Sequence, residues 1–92
     1  MAASARDRQK APEAVLFGQT LRRLRQERHW SQEQLAEAAG VTLNYIGNLE
    51  RGEQGPSLHI LVRLALALEM GIAELLKDFG FDVMRSLLRY PP

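Results

Sequence analysis

The feature that most constrains this chain is a pair of helix starts separated by a single glycine turn. Around Ser31 the run is Trp30-Ser31-Gln32-Glu33-Gln34-Leu35. The Ser31 hydroxyl can accept from the N–H of Gln34 while the Gln34 side chain reaches back, with Trp30 and Leu35 at the flanking apolar staple positions. Leu35, Ala36 and Ala39 then form a narrow face of small side chains that ends at Gly40, the residue type that takes the left-handed conformation and stops a helix. Val41 and Thr42 repeat the staple and the cap at once, with Ile46 as the staple partner. The sequence therefore predicts two short helices joined by a tight turn, with alanines on the first letting the second approach closely.

The second of these helices lies within GVTLNYIGNLERG, residues 40–52. At about 100° per residue, Val41, Ile46 and Leu49 turn inward, while Leu43, Asn44, Gly47, Asn48 and Arg51 spread over about 140° of the opposite side. That side presents amides and a guanidinium. An exposed Asn offers a donor and an acceptor side by side, matching the N6 and N7 edge of adenine in a major groove, and Arg can bind guanine or a phosphate. A plain solvated helix face carries the same residue types, so this stretch gains meaning only from its neighbours.

Upstream, Pro12 suits a first helical turn and Glu13 suits the positive end of the helix dipole. Phe17, Leu21 and Leu24 follow at spacings of four and three, predicting a helix to about residue 28. Arg22, Arg23, Arg25 and Arg28 flank that stripe, and they fit either a solvated face or a phosphate-facing patch. Residues 1–11 lack a periodic apolar face and are expected to form a mobile arm, in which Arg6, Arg8 and Lys10 are solvated or touch phosphates. Downstream, Ser57 caps a helix whose buried face is expected to use Leu58, Leu61, Leu64, Ala65 and Leu68. Ile72, Leu75 and Leu76 predict a short fifth helix that closes the core. The main domain is then 12–78. Val83, Met84, Leu87 and Leu88 fall at helical spacing in the tail 79–92, which predicts a sixth helix packed on a second subunit or folded back on the module.

The whole chain sets the class. Ninety-two residues suit one domain, and 46% apolar with 25% charged residues suits a folded globular chain. The absence of cysteine removes disulfides, thiolate catalysis and zinc-finger chemistry. No run of about 18 uncharged apolar residues and no secretory apolar core occur, so a cytoplasmic location is expected. Net charge is +1, unevenly placed. Residues 1–30 carry seven basic and three acidic groups, residues 31–78 three basic and seven acidic, and residues 79–92 two basic and one acidic. A nucleic-acid field must therefore come from the amino-terminal third.

Taken together, the chain resembles the Cro/C1-type (XRE-like) helix-turn-helix regulators of bacteria, phages and plasmids. The likeness is carried by FGQTLRRLRQERHWSQEQLAEAAGVTLNYIGNLERGEQGPSLHILVRLALAL and the later IAELL, which lie within the covered region, residues 16–78. It implies an all-α, five-helix, lambda-repressor-like DNA-binding domain with a possible extra C-terminal helix. The third helix, 43–51, would enter the major groove of a duplex operator as a homodimer. Carried over by position, Gln32 would bind a phosphate, and Thr42, Leu43, Asn44 and Asn48 would face bases. Tyr45 joins this DNA-binding set, while Arg51 and the amides near Ser57 would grip the backbone. Arg25 matches a position that pairs with the glutamate of the LERG run, here Glu50, which implies a structural role for both.

Four positions depart from the family pattern. Leu43 stands where a polar base-reading residue is frequent, so it meets a thymine methyl or stays out of the reading. Gly47 weakens a helix by up to about 1 kcal/mol and leaves room for close approach. Glu53 replaces a common basic contact, and Glu69 replaces a frequent terminating glycine.

An enzyme reading finds no support. His29 and His59 are isolated, and neither an HExxH, a G-x-S-x-G nor a glycine-rich phosphate loop occurs. His29 is expected to end the first helix, and no metal or cofactor is expected. The competing class is a protein-interaction module, such as the antitoxin of a toxin–antitoxin pair working through its apolar tail; a further alternative is the controller protein of a restriction–modification system.

Overall fold

A computed structural model describes residues 10–88. It contains six helices: α1 (Pro12–Glu27), α2 (Gln32–Ala39), α3 (Leu43–Glu50), α4 (Leu58–Ala67), α5 (Ile72–Leu75) and α6 (Phe81–Leu87). No strand occurs among the described residues. Residues 1–9 of the expected arm and 89–92 of the tail lie outside that range.

The anticipated caps set the helix boundaries. Pro12 opens α1, with the Ala11 carbonyl accepting from the N–H groups of Ala14 and Val15. Ser31 makes both halves of the capping box at α2: its hydroxyl accepts from the Gln34 N–H at 3.1 Å and its own N–H donates to Gln34 Oε1 at 2.8 Å. Thr42 accepts from the Tyr45 N–H at 3.0 Å, and Ser57 from the Ile60 N–H at 3.1 Å. Gly40 ends α2 at φ 73°. Two non-glycine residues take the same left-handed region, His29 after α1 and Glu69 after α4, each at φ 57°. At the second, the Arg28 guanidinium donates to the Leu68 carbonyl and so occupies an end that α4 leaves open.

The core is a single cluster. Phe17 and Leu21 of α1, Leu35, Ala36 and Ala39 of α2, Ile46 and Leu49 of α3, Leu64, Ala65 and Leu68 of the α4 end, and Leu75 of α5 make it up. Leu24, Trp30, Val41, Leu61, Ile72 and Leu76 pack against it. The predicted stripes thus converge, with one correction. Leu58 does not join the buried face and is 71% exposed. It is the first residue of α4, and helical side chains lean toward the N-terminus, which directs Leu58 beyond the edge of the core instead of into it.

Close packing of α1 on α3 depends on a glycine that the apolar stripe did not reveal. A Cβ at Gly18 would lie 2.4 Å from the Leu49 carbonyl oxygen and 2.7 Å from that of Glu50. The last turn of α3 therefore seats backbone against backbone on α1. Gly52 completes the seat: its φ is +74°, and a Cβ there would stand 2.9 Å from the Val15 Cα.

The tail forms a helix, α6, that folds back to touch α1. None of its residues is buried, and Phe81 is 72% exposed with Val83, Met84 and Leu88 also open. Phe79, just before it, packs on the core.

Candidate nucleic-acid interface

The candidate surface is the outer side of α3 with the amino-terminal end of α2. Ile46 and Leu49 are fully buried, which fixes the rotation of α3 about its axis. Asn44 is exposed and Leu43 is 45% exposed. Thr42 is exposed at the cap, where its hydroxyl is already used by Tyr45. Tyr45 is half-buried against the core. Burial pushes its hydroxyl above the ordinary phenol range, and a hydrogen bond with Gln54 works in the opposite direction.

Asn48 and Arg51 form a linked pair. Arg51 Nη2 donates to Asn48 Oδ1 at 2.7 Å, and Arg51 Nε donates to Glu53 Oε2 at 3.2 Å. Asn48 Nδ2 makes a long 3.5 Å contact with Gln54 Oε1. The Arg51 guanidinium lies over Gly47, where a Cβ would stand 2.9 Å from Nη1. Gly47, predicted to be open for an approaching partner, is instead buried beneath this side chain.

Glu50 ties three helices together. Its carboxylate accepts from Arg25 Nε at 2.7 Å and Nη2 at 3.1 Å, and from Gln32 Nε2 at 2.9 Å. The Arg25–Glu50 pair is the expected structural bridge, and the Glu50 side chain is only 3% exposed. Bonding to Glu50 holds the Arg25 pKa above its ordinary value, partly offset by desolvation. Arg25 Nη1 also donates to the Trp30 carbonyl at 2.8 Å, bracing the turn into α2. Gln32, expected at a phosphate, has one amide N–H engaged by Glu50, which fixes its head group at the start of α2.

Burial and pairing separate the two readings of the α1 arginines. Arg25 is structural, and Arg28 holds the Leu68 carbonyl with its guanidinium 5.8 Å from the Trp30 ring centroid. Arg23 pairs with Glu27 and Asp78 at exposed sites, and Arg22 is exposed. Lys10 is placed by the fold and not left in a mobile arm: its Nζ donates to the Arg51 carbonyl at 3.1 Å. A cation thus sits at the C-terminal end of α3, where the helix dipole favours it. Periodicity held no sign of Lys10 or Gly18, since neither belongs to an apolar pattern. His59 is exposed and accepts from Arg63 Nε at 3.0 Å, while Arg63 Nη1 donates to the Ala39 carbonyl at 3.3 Å.

A buried-faced α3 set against α2 across the Gly40 turn defines a helix-turn-helix protein. The helix-turn-helix family matches residues 21–75, and the chain belongs to that family, in its Cro/C1-type branch. It is similar to the restriction-modification controller protein C.AhdI from Aeromonas hydrophila, with 43% identity and a TM-score of 0.66 over 68% of this chain and 96% of that one. It is 39% identical to Control protein C.SmaI of Serratia marcescens over 71% of this chain and 77% of the relative. It is 43% identical to the HTH-type transcriptional regulator SutR of Escherichia coli over 62% of this chain, but spans only 32% of that longer protein. Among the described residues, no helix is long and apolar enough to cross a membrane.

Proposed function

We propose that this protein is a sequence-specific regulator, a repressor or autoregulator, that binds a two-fold duplex operator as a homodimer with α3 in the major groove. The observation that supports this best is the division of α3 into a fully buried side, Ile46 and Leu49, and an open side carrying Leu43, Asn44 and the Asn48–Arg51 pair. A helix held at one rotation by a core presents the same side chains to every duplex, which base reading requires. Asn44 is the main amide reader, Asn48 lends its Oδ1 to Arg51, Leu43 meets a thymine methyl, and Thr42 and Tyr45 frame the entry of the helix. Gln32, held by Glu50 at the start of α2, and the amides near Ser57 meet phosphates.

The likeness to C.AhdI and C.SmaI favours one kind of regulator, the controller of a restriction–modification system. A restriction endonuclease or methyltransferase gene beside this one is the expected genomic setting, and its absence removes that narrower reading. The broader reading is tested by selecting bound duplexes from fragmented genomic DNA at stated salt. A shared, two-fold motif is expected. Recovery without any shared motif overturns sequence-specific binding.

A further inference from the structure

Arg51 caps the C-terminal end of α3, and around the helix axis it falls within the arc of the open side, not at its edge. At about 100° per residue it lies about 80° around from Leu43, between Gly47 at about 40° and Asn48 at about 140°. Helical side chains lean toward the N-terminus, and here the Arg51 guanidinium runs back over Gly47, in the space a Cβ would otherwise fill at 2.9 Å from Nη1. Asn48 Oδ1 holds Nη2 at 2.7 Å and Glu53 Oε2 holds Nε at 3.2 Å, so both position and plane of the fork are set before any partner arrives. A guanidinium carries five N–H donors. Two are engaged by Asn48 and Glu53, and the others remain for an incoming acceptor.

We propose that Arg51 is a base-reading residue whose guanidinium, laid along α3 by the absence of a side chain at Gly47, recognises the O6 and N7 edge of a guanine. This rests on the reading that α3 enters the major groove. The alternative ligand is a backbone phosphate. Glu53 argues against it, because a carboxylate on Nε offsets the charge a phosphate seeks and adds repulsion toward it. A guanine edge is uncharged and asks for oriented donors, which the two clamps supply. Gly47 in an α-helix also costs stability relative to alanine, and clearance for Arg51 is what the position provides in return.

The test uses the full chain and a pool of randomised duplexes, comparing Gly47→Ala, Arg51→Lys and Arg51→Ala with the parent. The methyl that Gly47→Ala introduces meets only the far end of a flexible side chain, so this variant is expected to melt at or above the parent temperature. The parent should enrich a motif with a guanine at one position of each half-site. All three variants should keep the rest of the motif and lose preference at that one position by on the order of tenfold. Uniformly weaker binding with an unchanged motif in the Arg51 variants makes Arg51 a phosphate anchor and overturns the proposal. An unchanged motif in Gly47→Ala overturns the role of the clearance. No motif from the parent overturns the groove-reading function itself, which separates that failure from the other two.

Discussion

Asn44 and Asn48 lie one helical turn apart on α3, yet tertiary structure gives them different chemistry. Asn44 is exposed, whereas the Asn48 carbonyl is committed to Arg51 at 2.7 Å. The Asn44→Ala variant should therefore lose discrimination at one operator position by on the order of tenfold while its unfolding free energy stays within about 0.5 kcal/mol of the parent. Competition binding with single-base operator variants reads the first quantity and urea titration the second; unchanged discrimination removes Asn44 from the readers. Glu50 belongs to the fold and behaves in the opposite way. Its removal leaves the Arg25 guanidinium without its nearly buried partner and releases Gln32. Glu50→Ala should cost about 3–5 kcal/mol in the same titration, and a loss below about 1 kcal/mol, the range of exposed pairs, would show the bridge to be solvated. Spacing along the chain did not reveal the Arg25–Glu50 contact, because its members are 25 positions apart; the family resemblance supplied it.

Among the elements, the helix starts were the most legible part. Ser31, Thr42 and Ser57 each accept the predicted N–H, since a cap involves residues within three positions of one another. Ser57→Ala should lower stability by about 1 kcal/mol, measured by thermal melting, and no change would mean that the first turn of α4 is held by packing alone. The seat of α3 on α1 was not legible. Gly18 sits inside a helical pattern, where glycine reads only as a mild defect, and its need for close approach comes from the Leu49 and Glu50 carbonyls 2.4 and 2.7 Å from an added Cβ. Those neighbours are backbone and cannot swing aside. Gly18→Ala should destabilise by about 1–3 kcal/mol by overpacking, the reverse of the gain expected from propensity alone; a more stable variant would refute the seat.

For the molecule as a whole, the question is what meets the apolar surface left open. Leu66 is 74% exposed on α4, and Phe81, Met84 and Leu88 are open at α6. If the homodimer proposed above forms through α6, truncation after Phe79 should shift the solution mass toward monomer at micromolar concentration. An unchanged dimer mass would move the interface to α4 and α5. Charge adds a second expectation at this scale. Because residues 31–78 carry seven acidic and three basic groups, few cations are available to displace counterions. Neutralising any one cation that binds a phosphate should flatten the logarithmic salt slope by about 0.9.

By itself, the sequence determined the order of the helices, their starts, the buried side of α3 and the family, because caps, staples and periodicity are written in neighbouring residues. Tertiary structure alone decided what the long polar side chains with distant partners do. It turned Lys10 onto the Arg51 carbonyl, gave Arg28 to the end of α4, and tied Gln32 to Glu50. The reason is physical. A long polar side chain has many rotamers of similar energy, and only the acceptors brought to it by distant parts of the chain select one.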